Sequence, residues 1–388
     1  MNTRTFLAAA CAAALGFAPS TLAQTAAPSS QEDAERKKLE EQLRLEMGKS
    51  TEPRAPEARI AAQGAAGAGQ NPLARLQLLP DISAIGSTVA TWDDQTEKLG
   101  FAFEELELGL QAVVDPYLRA DIFIAFTPEE VAVEEAYVTT LGLPAGLQLR
   151  AGRIFAPFGK LNQTHPHVWE FVEAPLAQGL VAEESLGGGG LEVGWLLPAP
   201  WFAELKVGGF STAPTEEDAP RLTGVARLSQ YFMLTEAATL GVGLSAARRD
   251  EGVGQFRDLA NVDVYVKVRP PASRSYLTVS GEYVMRRWKG LDGVDDGFEK
   301  GFWAQAFGRI GPHFGVGARY EQAPFEAEEG SDLSGDTKKV TGVLAWLPSE
   351  FQRVRLEVSK EDRPDDAGAL AAMLHLEFGI GAHGAHPF

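Results

Sequence analysis

From about Leu76 to its last residue, the chain places apolar side chains at every second position. Leu106, Leu108, Leu110 and Ala112 alternate with Glu105, Glu107, Gly109 and Gln111. Val262, Val264, Val266 and Val268 alternate with Asp263, Tyr265 and Lys267, and Val354, Leu356 and Val358 with Arg353, Arg355, Glu357 and Ser359. In the final run Leu370, Ala372, Leu374, Leu376, Phe378 and Ile380 share the parity of Phe388, while His375, Glu377 and His383 take the other. Successive side chains of a strand point to opposite faces, so a period of two predicts strands with one apolar and one polar face. The pattern predicts sixteen: near 80–92, 101–114, 117–127, 130–141, 146–154, 189–197, 201–211, 222–232, 237–248, 260–269, 275–287, 300–310, 313–322, 338–346, 351–360 and 369–388.

The connections alternate in character. Short turns fall at Asp115-Pro116, Leu143-Pro144-Ala145, Pro198-Ala199-Pro200, Arg269-Pro270-Pro271, Gly311-Pro312 and Leu347-Pro348. Between them lie mostly longer, acidic segments such as Ala213 to Arg221, Asp250 to Leu259, Lys289 to Lys300 and Pro324 to Asp336. A sandwich has no reason to keep that order. An all-β transmembrane antiparallel barrel does, with short turns on one rim and long loops on the other. An even strand number places both ends of the barrel, 76–388, on the short-turn side. Trp195, Trp201, Tyr231, Phe232, Tyr276, Phe314, Trp346 and Phe351 sit beside the short turns, where an aromatic girdle is expected.

The N-terminus has a different composition. Residues 1–23 carry one early charge, an Ala-rich apolar stretch and the small-residue site Thr21-Leu22-Ala23, which predicts a secretory signal peptide. Residues 24–75 predict a short helical, coiled-coil-like periplasmic segment, with Leu39, Leu43 and Met47 on one stripe, followed by an Ala/Gly/Pro linker. The one cysteine, Cys11, lies inside the signal, so the mature chain is expected to have no disulfide. No run of 18 apolar residues occurs, which excludes a spanning helix, whereas a spanning strand needs only about 9–11 residues. A net charge of −18 excludes nucleic acid as a partner. A secreted acidic soluble protein is the alternative that composition leaves open.

Sixteen strands enclose a water-filled lumen. The polar face interleaves Arg119, Arg150, Lys206, Arg227, Lys267, Arg309, Arg319, Arg353 and Arg355 with a similar number of carboxylates, a balance that predicts no charge preference. Phe155 to Gly188 is the longest stretch without periodicity, and its aromatics mark it as a functional loop. If it folds inward, Lys160, His165, His167, Glu170 and Glu173 form a pore constriction facing Arg150 and Arg319. If it folds outward, it is an extracellular cap. A metal reading rests on His165 and His167, with Glu170, Glu173, His383 and His386 as further donors. No Gly-x-Ser-x-Gly motif or Ser-His-Asp arrangement is present, so no enzyme is expected, and no cofactor.

The signal, helical prefix, strand parity and terminal Phe388 together resemble the phosphate-selective porin (porin O/P) type of outer-membrane channel. The segments F-A-P-F-G-K-L-N-Q-T-H-P-H and G-A-H-G-A-H-P-F are also similar to a group of Gram-negative outer-membrane proteins. Some of these carry the label of zinc-regulated TonB-dependent receptors, a class that needs about 22 strands and a plug. The resemblance implies residence in the Gram-negative outer membrane, with lipid and lipopolysaccharide around the wall. It implies passive diffusion of small hydrophilic solutes or ions through a barrel that is a homotrimer or a monomer, and recognition of Phe388 by the outer-membrane assembly machinery. The alternative is a binding or receptor protein, metal-related, that uses the long acidic loops.

Overall fold

Alternation becomes hydrogen-bonded sheet wherever the register of one strand can meet the next. In the computed structural model the described residues are 80–94, 98–182, 186–211, 221–252, 254–290, 296–325, 334–365 and 367–381. The expected signal peptide, the helical prefix, Phe388, His383 and His386 lie outside them. The strands are β1 (Asp81–Asp93), β2 (Leu99–Asp115), β3 (Leu118–Phe126), β4 (Val131–Thr140), β5 (Leu147–Phe155) and β6 (Gly187–Leu196). They continue as β7 (Phe202–Ser211), β8 (Leu222–Thr235), β9 (Ala238–Gly252), β10 (Gln255–Val268) and β11 (Tyr276–Lys289). The last five are β12 (Gly297–Ile310), β13 (Phe314–Pro324), β14 (Asp336–Ser349), β15 (Gln352–Asp362) and β16 (Ala367–Gly381).

Each strand pairs antiparallel with its neighbours in sequence, and β1 pairs with β16 from Ser83↔Gly381 to Asp93↔Ala371, closing a barrel of 16 strands. Closure removes the two sheet edges, whose unpaired N–H and C=O groups have no partner in hydrocarbon. The pattern is inside-out relative to a water-soluble protein. Leu374 and Ile380 of β16 are 50% and 63% exposed on the outer face, whereas His375 between them is 4% exposed and faces in.

Two strands run further than their apolar pattern. β9 and β10 continue to Gly252 and from Gln255 through the segment expected to be a loop. Arg248 Nε and Arg287 Nη2 flank Asp258 at 2.6 and 2.7 Å there. Beyond the lipid band a strand no longer needs an apolar face, so cross-strand ion pairs replace the hydrophobic signal. The girdle also needs correcting. Trp195, Trp201, Phe314, Trp346 and Phe351 are exposed, but Tyr231 and Tyr276 line lumen cavities. They share the parity of Arg227 and Glu282, which points both phenols to water.

Two bulges break the period where carboxylates come in pairs. Ser87 faces Glu105 and Thr88 faces Phe103, so Glu104 is an extra residue; Phe123 faces Glu135 and Ile124 faces Val133, so Glu134 is another. A bulge lets two consecutive side chains share one face. Here it turns both Glu104-Glu105 and Glu134-Glu135 to the lumen.

At the closure seam the Phe378 ring covers Gly86, where a Cβ would lie 2.5 Å from the ring. Gly381, at φ +87, ends β16 where a Cβ would lie 2.1 Å from the Ile82 carbonyl oxygen. Gly381→Ala therefore combines left-handed strain with a backbone clash at the seam, costing about 1–3 kcal/mol. Its urea midpoint for unfolding from lipid vesicles is expected to fall below the wild-type value. An unchanged midpoint would mean that the end of β16 does not hold the seam.

Candidate functional site

The chain between β5 and β6 turns into the barrel and packs against the inner wall. Its neck is stapled by backbone and side chain together. Ala156 N donates to Leu186 O at 2.8 Å; Asn162 Nδ2 donates to the Ala156 and Leu186 carbonyls at 3.0 and 2.8 Å, and its Oδ1 accepts the Leu186 amide at 2.7 Å. Gly159, at φ +61, brings the backbone against β11, where a Cβ would lie 2.5 Å from Glu282 Oε2. Ile154, Phe158, Leu180 and Val181 meet Phe210, Val225, Leu259, Val284 and Trp303 of the wall in a dry core inside the pore.

Short 3-10 turns leave most of the loop's amides and carbonyls unpaired, and buried peptide groups must find partners. Wall side chains supply them by charge type. Carboxylates take the amides: Glu282 accepts Lys160 and Leu161 N–H at 2.9 and 2.7 Å, Glu357 accepts Val172 at 2.8 Å and Glu321 accepts Leu176 at 2.7 Å. Guanidinium groups take the carbonyls. Arg353 donates to His167 and Trp169, Arg355 to Trp169 and Phe171, and Arg319 to Glu173. A hydrogen bond to a charged group is worth about 1.5–3 kcal/mol, so this set outweighs ordinary loop mobility.

The expected site residues separate into three places. Lys160 rests its ammonium 4.7 Å from the Tyr265 ring centre and borders both main lumen cavities. Glu170 accepts from Thr278 Oγ1 at 2.9 Å and Gln305 Nε2 at 2.7 Å, in the cavity that Arg319 also borders. Glu173 pairs with Lys339 at 2.5 Å. Arg150 faces wall carboxylates rather than loop charges: Glu192 at 3.3 Å and Glu135 at 3.6 Å, with its guanidinium over the Tyr137 ring.

His165 and His167 lie elsewhere, against β2 and β4. His165 is buried, with Nδ1 at 2.9 Å from Glu134 and 3.0 Å from Glu107, and Nε2 at 3.1 Å from Glu135. Burial opposes a charge on this ring, but the facing carboxylates of Glu107, Glu134 and Glu135 outweigh it and hold its pKa well above the ordinary imidazole value. His167 Nδ1 is 3.1 Å from Glu107. Glu170 and Glu173, expected as companion donors, point to Thr278 and Lys339 instead. Sequence reading missed the wall partners of the loop. Apolar residues on the lumen parity (Phe210, Val225, Leu259, Val284) and the doublets Glu104-Glu105 and Glu134-Glu135 were the available signals.

Several water-accessible cavities lie beside the loop, among them an acidic one of about 210 Å³ with Glu104, Glu105, Glu107 and Glu377 against His167, Arg355 and His375, and two cationic ones. The larger, about 530 Å³, has Arg119, Arg150, Lys160, Lys206 and Arg227 against Asp121, Glu135 and Glu204. The smaller, about 190 Å³, has Lys160, Lys267, Arg309, Arg319 and Arg353 against Glu170 and Glu282. Each has five cationic side chains, facing three and two carboxylates respectively.

No family model matches the chain. An uncharacterized protein of Aquifex aeolicus (strain VF5) is 30% identical over 337 residues, covering 75% of this chain and 71% of that protein. Among solved structures, a loop-L8 deletion mutant of OmpT, an outer membrane protein of Vibrio cholerae, is similar with a TM-score of 0.56 and 11% identity over 78% of this chain and 99% of its own. The anion-selective porin from Comamonas acidovorans gives 0.55 and 11% with the same coverage. The outer membrane channel DcaP of Acinetobacter baumannii gives 0.52 and 13%, covering 78% of this chain and 97% of its own. These likenesses concern the fold, a porin-type outer-membrane barrel. By sequence, the chain belongs to the same family as the Aquifex aeolicus protein.

Proposed function

We propose that the protein is a porin-like channel of the Gram-negative outer membrane that lets small hydrophilic solutes diffuse passively and favours anions, phosphate among them. The observation that supports the anion preference is the division of labour on the inner wall. Glu107, Glu192, Glu282, Glu321 and Glu357 are buried, holding loop amides or neighbouring side chains. Arg119, Arg150, Lys206 and Arg353 keep 43, 17, 19 and 17% of their side chains exposed beside the two cationic cavities, where Glu204 keeps 25%, while the open Glu104 and Glu377 line a separate acidic cavity. A narrow water column between low-dielectric walls focuses such a field, so a modest excess of positive charge attracts small anions. The balance expected from counting residues ignores this difference in burial. The name of the Comamonas acidovorans porin states the same selectivity for that protein.

In this reading the loop is the constriction, Lys160, Glu170 and Arg319 border the solute path, and the barrel carries out no chemistry. Lipid and lipopolysaccharide surround the wall, the chain assembles as a homotrimer, and Phe388 serves the assembly machinery. In planar bilayers under a KCl gradient the reversal potential is expected to indicate chloride preference. Lys160→Glu is expected to move it toward potassium and Glu170→Lys further toward chloride. Deleting residues 161–186 is expected to raise single-channel conductance by roughly twofold or more, because the loop occupies the lumen. A cation-preferring wild type, or a deletion with unchanged conductance, would contradict the proposal.

The neck gives a separate test. Asn162→Ala leaves the buried Leu186 amide without its acceptor and removes a second donor from the Ala156 and Leu186 carbonyls, which keep the Phe158 and Ala156 amides, a loss of about 1–3 kcal/mol. The variant is expected to show frequent brief closures or added current noise at unchanged ion preference. A quiet channel would show that the loop is held without its neck.

A further inference from the structure

The corner formed by β2, β4 and the loop gathers four carboxylates around two histidines. Glu105, Glu107, Glu134 and Glu135 converge there from two strands, and Arg150 approaches only the last of them, at 3.6 Å. His165 and His167 lie among them, while Arg355 and His375 border the same cavity beside Glu104 and Glu377. His165 and His167, on either side of Pro166, stack with ring centres 5.7 Å apart.

The hydrogen-bond pattern assigns the ring nitrogens. His165 Nε2 faces Glu135 Oε2 at 3.1 Å, and Glu135 is itself fixed by the Phe155 amide at 2.9 Å. The second ring nitrogen, Nδ1, points at two further carboxylates, Glu107 and Glu134, at 3.0 and 2.9 Å. A proton on Nδ1 joins these three groups, and a metal ion bound among them would displace it. A carboxylate behind a histidine is also the usual arrangement that orients a metal-bound imidazole. An independent observation comes from Glu107. It is 2% exposed, and its Oε2 accepts no well-aligned hydrogen bond among the described residues, although it lies 3.0 and 3.1 Å from the two Nδ1 atoms.

We infer that Glu107, Glu134 and His165 form a binding site for a divalent first-row transition-metal ion, with a fourth position toward His167. Their donor atoms all lie within 4.8 Å of one another, and the measured neighbour distances are 2.9 and 3.0 Å. Ligands about 2.0–2.2 Å from a tetrahedral zinc are about 3.3 Å apart, so the side chains need only small shifts to take the ion. Mixed imidazole and carboxylate donors suit zinc or cobalt, whereas calcium and magnesium prefer oxygen alone. Glu107 comes from β2, Glu134 from the bulge of β4 and His165 from the loop, so the ion fastens the loop to the wall opposite its Glu282, Glu321 and Glu357 anchors. The site does not depend on solute passage.

The test uses the full barrel, folded in detergent and stripped with a chelator. Titration with Co²⁺ is expected to give visible d–d bands of a low-coordinate site saturating at one ion per chain, displaced by Zn²⁺. His165→Ala is expected to remove the bands, and Glu135→Gln, which only positions His165, to weaken binding by about 10–100-fold. Heat-modifiable migration in gels confirms that each variant is folded; if His165→Ala fails this check, Glu134→Gln takes its place with the same expected loss. Absence of the bands in the wild type, or equal binding by wild type and a folded ligand variant, would overturn the site and place any bound ion on the acidic outer loops. Conductance plays no part in this readout, so its outcome is distinct from that of the channel proposal.

Discussion

The structure depends on one requirement, that each buried peptide group find a hydrogen-bond partner where water is scarce. The wall meets it with strands, and the pairing of β1 with β16 leaves no edge. The loop inside the wall has no ladder of its own. Its amides and carbonyls are met one by one by side chains, carboxylate for amide and guanidinium for carbonyl. The charged lumen face is therefore first a docking surface for a polypeptide and only second a surface for solutes.

That order explains how an acidic protein of net charge −18 offers cationic passages. A carboxylate that accepts backbone amides is drawn close to the loop and out of the water. Arg119, Lys206 and Arg353 keep part of the head group exposed, whereas Arg319 and Arg355, which donate to loop carbonyls, are as buried as the carboxylates. The same side-chain economy forms the dry core around Phe210, Val284 and Trp303, where the wall abandons polar residues because the loop covers them.

Most of the fold was legible in the sequence because lipid imposes a strict period of two. Strand positions such as β13 and β15 follow it closely, and their ends fall at proline-marked turns. The period fades where lipid ends, which is why β9 and β10 run longer than their apolar residues. Tyr231 and Tyr276 were read as girdle because an aromatic near a turn does not declare its face without the parity of its neighbours. The candidate site was less legible. Length and aromatics identified the loop, but its direction is fixed by contacts from residues such as Glu282 and Arg355, more than a hundred positions away. His165 and His167 were seen together, and Glu107 lies on the regular lumen parity, whereas Glu134 and Glu135 were hidden in a doublet that looks like a slip of the alternation. Bulges are invisible to a rule that counts every second residue.

The loop touches both sides of the cylinder. His165 reaches Glu134 on β4, while Lys160, Val172 and Leu176 reach β11, β15 and β13. A thin-walled tube of this kind flattens readily under lateral load, since bending a sheet between strands breaks no hydrogen bonds. A strut tied across the bore removes that freedom. The oval or round section of this barrel is thus set from within, and changes in bilayer tension or thickness meet a braced cylinder rather than a hollow one.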